Sequence, residues 1–197
     1  MQSFVDHARA FPRLAAERGE ELDRLAAGQS PQALFISCSD SRVVPSLFTG
    51  ARPGELFELR TAGNIIPPHR PDHPFAEAAT IEYAVEVLEV ADIVVCGHSH
   101  CGAVGAMVRG DDLSAVPSVR GWLERSVDPG PLRPHAGTDL TEAVQAHVLV
   151  QLERLRAYPA IARRTAEGRL GVHGWFYEVH TGTVFAHRPF DDRFQPL

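Results

Sequence analysis

Cysteine is scarce in this chain: 197 residues hold three, Cys38, Cys96 and Cys101. An odd, sparse set builds no disulfide framework and fits a reducing compartment. Long apolar runs are lacking too. No stretch approaches the 18 or so consecutive apolar residues of a membrane-spanning helix. The start, Met1 to Arg9, has neither the basic n-region nor the apolar h-region of a secretory signal, so the cytoplasm is the expected compartment. A surplus of positive charge is also missing. Lys and Arg total 19 against 25 Asp and Glu, giving a formal charge of −6, and the cations are scattered. That balance argues against nucleic acid as a partner and for a small-molecule substrate.

Repeats, low-complexity tracts and linkers are absent as well, and the length suits one domain, enough to bury roughly 70% of the surface of the unfolded chain. Helical spacing of Phe4, Ala8, Phe11, Leu14, Ala15, Leu22 and Leu25 predicts one or two amphipathic helices over 3–27, with breaks at Pro12 and Gly19. Strands are expected at 33–37, 56–60, 92–96, 170–179 and 184–187. Between them, 75–89 reads as a crossover helix, 102–108 as a helix starting at a ligand, and 113–127, 141–158 and 159–167 as further helices. The proline-rich stretch 61–75 is a long loop, and Asp128 to Pro131 another. The expected fold is α/β: a central, mostly parallel sheet of four to five strands flanked by helices. An N-terminal helical arm, 1–27, precedes a zinc-binding core, 28–197.

The chemistry concentrates at two strand ends. The apolar run from Ile93 stops at Gly97, and His98 and Cys101 follow three apart. The run from Ala33 ends in Cys38, Asp40 and Arg42. Open α/β sheets place their sites at the C-terminal ends of strands. Two cysteines and a histidine select zinc over hard, oxygen-loving ions, and three protein ligands leave a fourth position for water. The Cys-x-Asp-x-Arg spacing puts Cys38, Asp40 and Arg42 on one side of an extended segment. Arg42 would then keep the Asp40 carboxylate ionised and oriented to accept a hydrogen bond from zinc-bound water or hydroxide. Two thiolates acidify that water less than an all-histidine site does. The expectation is a zinc-hydroxide nucleophile, one Zn2+ per chain, with activity rising above neutral pH.

These motifs resemble those of the β-class carbonic anhydrases. Cys38-Ser-Asp40-Ser-Arg42 is similar to that family's first signature, and Gly97-His98-Ser-His-Cys101-Gly102 to its second. The likeness continues through Gln29, Pro53 to Phe57, Arg60 to Asn64, Ile81 to Ala84 and His173 to Trp175, roughly residues 28–180. The resemblance implies zinc-dependent reversible hydration of CO2 to bicarbonate and a homo-oligomer, a dimer or a dimer of dimers. Likeness to the plant-type subgroup implies a substrate pocket of Gln29, Phe57, Ala62, Tyr83 and Gly102, with Gln29 donating to the bicarbonate oxygen across the dimer interface. Another subgroup has a Trp three residues before the first Cys, as part of an inhibitory bicarbonate pocket. Phe35 stands there and offers no N–H, with Arg60 and Tyr177 as possible remnants of such a pocket.

Plainer readings stand beside these. Cys96, inside an apolar strand, is expected to be a core thiol. His100 is expected to be a loop residue, and His69, His73, His135, His147, His173, His180 and His187 solvent or loop residues. Two rival functions share the metal: hydrolysis of carbonyl sulfide or carbon disulfide, and a structural or redox-sensing zinc module in which Asp40 closes the coordination shell.

Overall fold

In the computed structural model, which describes residues 1–17, 19, 22–126 and 139–197, the chain divides into two compact units, Met1–Ser30 and Pro31–Leu197. The first holds helices α1, Gln2–Glu17, and α2, Leu22–Ala26. Pro12 lies inside α1 rather than breaking it. The other expected break, at Gly19, does separate α1 from α2, and its φ of 70° is one that glycine takes without strain.

The second unit is built on six strands: β1 Ala33–Cys38, β2 Leu56–Thr61, β3 Asp92–His98, β4 Gly171–Tyr177, β5 Val184–Arg188 and β6 Arg193–Pro196. They run in the order β2-β1-β3-β4-β5-β6. The first four are parallel, and β5 and β6 complete the sheet in antiparallel fashion. β1 and β3 are buried almost throughout, as central strands covered on both faces must be. Leu34, Ile36, Ile93 and Val95 point to one face and are fully buried, each contributing roughly 1.5–3 kcal/mol of transfer free energy. Phe35, Val94 and Cys96 face the other side, with Val43 and Tyr177. The sixth strand, Arg193–Pro196, is one more than the expected four to five. It pairs with β5 at the sheet edge, where a proline is tolerated.

The helices of this unit are α3 Pro45–Thr49, α4 Ala76–Glu82, α5 Gly102–Arg109, α6 Pro117–Ser126, α7 Leu140–Arg156 and α8 Pro159–Ala166. After α4 the crossover continues as a π-helical segment, Tyr83–Val87. The expected loop 61–75 holds in part: Thr61 closes β2 and Ala62–Asn64 form a short 3₁₀ turn, while 65–75 carries no helix or strand. α7 lies against β3 and β4, close enough that a Cβ at Gly97 would come within 2.7 Å of Val144 and Val148, and one at Gly174 within 2.8 Å of Leu152. Glycine at both positions lets the helix seat on the sheet. The expected loop at Asp128 to Pro131, and His135, lie outside the described residues.

Candidate metal centre

β1 and β3 are neighbours, yet their chains continue to opposite sides, β1 to β2 and β3 toward β4. A sheet of this order opens a crevice at the C-terminal ends of the two strands where the winding reverses. Cys38 closes β1 and His98 closes β3 there, and Cys101 is the N-cap of α5. Their ligand atoms all lie within 4.8 Å of one another, and all three residues are buried.

The donor set fits a zinc ion. His98 Nδ1 lies 2.9 Å from the Ser99 carbonyl, so it carries the ring proton. Nε2 is buried with no hydrogen-bond partner. A buried lone pair facing two sulfurs is the arrangement of a metal-binding imidazole, its tautomer fixed from behind. Ser99 is itself held. Its amide donates to the Tyr177 carbonyl at 3.0 Å, and its hydroxyl accepts from the Val179 amide at 2.9 Å. The Cys38 thiol is pushed well down by the Cys101 thiol that donates to it, with help from His98 and from the Asp40 and Gly63 amides. The Gly63 N–H stands 3.4 Å from its sulfur. Cys101 is pushed up by the same contact and by burial, while the Val104 and Ala103 amides at the start of α5 pull the other way. The two sulfurs thus face each other closely enough to act on one another, as two thiolates that would share one divalent cation must. Cys96, by contrast, is pushed up by burial alone, as a core thiol should be.

Beside the ligands, Asp40 is gripped by Arg42. Oδ1 accepts from the Arg42 amide and Nε, both at 2.9 Å, and Oδ2 from Nη2 at 2.7 Å. This fork holds the carboxyl well below the usual carboxylate range, so it stays ionised. Arg42 reaches on to the His100 carbonyl at 3.2 Å. His100 itself is exposed, in the left-handed region at φ 57°.

The family model for carbonic anhydrase matches residues 33–184. The chain is 43% identical to a carbonic anhydrase of Pseudomonas aeruginosa, an alignment covering all of this chain and 92% of that one. It is 41% identical to carbonic anhydrase 1 of Escherichia coli O157:H7 at the same coverage. Among solved structures, it superposes on the β-carbonic anhydrase CcaA with a TM-score of 0.88 at 36% identity, over 100% of this chain and 99% of that one. This chain is a member of the β-carbonic anhydrase family. Zinc is the cofactor of that family, and Cys38, His98 and Cys101 are placed to bind it.

In this β-carbonic anhydrase the residues expected around the substrate fall in three places. Phe57 and Tyr83 are ring neighbours, with centroids 6.0 Å apart. Tyr83 is 43% exposed and opens the π-helical segment, a distortion often found at functional sites. Ala62 and Gly102 are exposed next to Gly63 and Ala103, where a Cβ on Gly63 would meet that of Ala103 at 3.0 Å. Gln29 is an exposed residue of the Met1–Ser30 unit.

The contacts of other supporting residues had no signature in the sequence. Arg60 donates to the carbonyls of Cys38, Asp40 and Val43 at 3.0, 2.8 and 2.7 Å, clamping the turn that carries Asp40. Phe35 packs edge-on against Phe48 and Trp175. His147, expected at the surface, is fully buried. It heads a stripe on α7 in which His147 Nε2 donates to the Gly63 carbonyl at 2.8 Å, and Gln151 Oε1 accepts from the Ile66 amide at 2.8 Å. Just beyond the helix, the Tyr158 hydroxyl donates to the Pro67 carbonyl at 2.8 Å. Burial pushes the His147 ring down to about 4, keeping it neutral.

Proposed function

We propose that the chain catalyses the reversible hydration of carbon dioxide, CO2 + H2O ⇌ HCO3− + H+, with zinc held by Cys38, His98 and Cys101. The observation that carries this reading is the buried, unpartnered His98 Nε2 among two sulfurs, beside a carboxylate already engaged elsewhere. When bound, zinc supplies a Lewis acid that makes a water nucleophilic near neutral pH. Asp40 would orient that water. Its Oδ1 already accepts two donors and Oδ2 only one, so Oδ2 has the lone pair free to accept the water's proton in a hydrogen bond. Because Arg42 holds the carboxyl far below neutrality, Asp40 positions the proton without taking it. The arginine thereby makes Asp40 an orienting group rather than a base, and Arg60 fixes the loop on which both depend.

Phe57 and Tyr83 are assigned to the apolar wall for CO2, and Ala62 and Gly102 to the space left for it. Gln29 is assigned as donor to the bicarbonate oxygen. The structural-zinc alternative needs Asp40 in the coordination shell, and the double engagement with Arg42 favours the enzyme instead. A homo-oligomer, dimer or dimer of dimers, is part of the proposal. Phe4 and Phe11 on α1 are exposed, at 72% and 46%, and solved relatives from Sordaria macrospora are tetrameric β-carbonic anhydrases. We assign residues 1–27 as the arm that joins subunits and 28–197 as the zinc-binding core. Among the described residues no helix is long and apolar enough to cross a membrane, and three free, buried cysteines suit a cytoplasmic location.

Stopped-flow CO2 hydration with zinc quantified per chain is the test. The expected result is one zinc per chain and a rate that rises with pH above neutrality. A zinc-loaded protein without hydratase activity, or one that prefers carbonyl sulfide or carbon disulfide by a wide margin, would refute it. A monomeric mass in solution with full activity would refute the oligomer.

A further inference from the structure

Trp122, on α6, is half-buried, and its indole Nε1 donates to the Ala62 carbonyl at 2.9 Å. That carbonyl belongs to the same peptide unit as the Gly63 amide, which donates to Cys38 Sγ at 3.4 Å. The C=O and N–H of one peptide are opposite ends of a single resonating dipole. A hydrogen bond accepted at the oxygen therefore strengthens the donor at the nitrogen. Trp122 is in this way coupled through one peptide to a ligand sulfur it does not touch.

The peptide is fixed on every side. Gly63 has a φ of 76°, and its own carbonyl receives His147 Nε2 at 2.8 Å. Ala103 lies so close that a Cβ at Gly63 would meet it at 3.0 Å. Trp122 is held against Ile65 and Leu123 in a small apolar cluster with Met107 and Leu113. Among the described residues the other two ligands show no such remote donor. The amides acting on Cys101 come from its own helix, and His98 is oriented by the adjacent Ser99.

We propose that Trp122 is a positioning residue that sets the donor strength of the Cys38 thiolate toward the metal through the Ala62–Gly63 peptide. This rests on Cys38 being a zinc ligand. Weakening the N–H···S bond leaves more charge on the sulfur, which then donates more to the ion and leaves it a weaker Lewis acid.

The test compares Trp122→Phe with the wild type, as zinc enzyme and as cobalt(II)-substituted protein. In the variant, the thiolate-to-cobalt charge-transfer band is expected to move to longer wavelength, because the sulfur electrons are held less tightly. The pH midpoint of kcat/KM is expected to move up, giving about a two- to threefold loss at neutral pH that disappears at high pH. An unchanged band and midpoint at equal zinc content would overturn the proposal, as would a loss of rate equal at every pH. If Trp122→Phe does not fold, 3-benzothienylalanine at position 122 keeps the bicyclic shape without the N–H and is read the same way. A Cys38→Ser cobalt protein with a thiolate band as strong as the wild type's would instead remove Cys38 from the ligand set, so failure of the underlying reading is told apart from failure of this one.

Discussion

Two arginine–aspartate pairs in this chain share one geometry. Arg42 reaches Asp40 through Nε and Nη2 at 2.9 and 2.7 Å, and Arg109 reaches Asp111 through the same two nitrogens at 3.1 and 2.6 Å. In both, the partners are two residues apart. Their surroundings differ. The Asp40 side chain is 16% exposed, takes a third donor from the Arg42 amide, and belongs to the strand exit that supplies Cys38. The Asp111 side chain is 38% exposed, just past the end of α5. Both carboxyls are held down by their arginine, yet only the first stands beside the Cys38, His98 and Cys101 cluster. The contact is the same fork in each case, and its position relative to the two strand ends decides what it does.

Breaking the first pair should have the largest effect. Asp40→Asn is expected to lower kcat/KM for CO2 hydration by about 10²-fold or more, with one zinc per chain retained by elemental analysis. Loss of zinc instead would place Asp40 among the ligands. A third ionisable group, His147, sharpens the point that surroundings rule. Its pKa in the folded protein is about 4, below an unfolded value near 6.5. The native state therefore binds fewer protons than the unfolded one between those values. Stability is full above about pH 6.5 and falls as pH drops toward 4, by about 3 kcal/mol in all. Urea unfolding at pH 7 and pH 5 should show a larger loss for the wild type than for His147→Gln, and equal losses would mean that the ring charges in place. Arg42→Lys replaces the fork with a single point charge and is expected to cost about tenfold in kcat/KM. An unchanged rate would show that the ammonium suffices. The smallest effect belongs to the second pair: Asp111→Asn should leave kcat/KM and zinc content as they were, and a measurable fall would erase the contrast drawn above.

The candidate metal site was legible because Cys and His at strand exits, with a carboxylate and a guanidinium at alternate positions, form a pattern that has few other uses. The parallel strands were legible as apolar runs, and 65–75 as a loop from its prolines. Arg193–Pro196 was not, because Arg-Phe-Gln-Pro is only four residues long, has no β-branched residue and ends in proline, and only pairing with β5 makes it a strand. Pro12 misled as a breaker of α1. The backbone contacts of Arg60, Trp122, His147 and Gln151 escaped notice for a common reason. Each residue binds backbone groups of a loop distant in sequence, and a peptide carbonyl or amide leaves no mark in the amino-acid string. Support for a site through backbone is thus the part that requires coordinates.

The reversal of winding between β1 and β3 also governs when the ion can be captured. A nascent chain that has emitted β1 and β2 offers one sulfur, and His98 and Cys101 arrive only with the next strand and the helix after it. The triangle of donors exists once β1 and β3 have paired edge to edge. The three donors meet only in the paired sheet, so a zinc ion held by all of them would rivet the seam between the two windings.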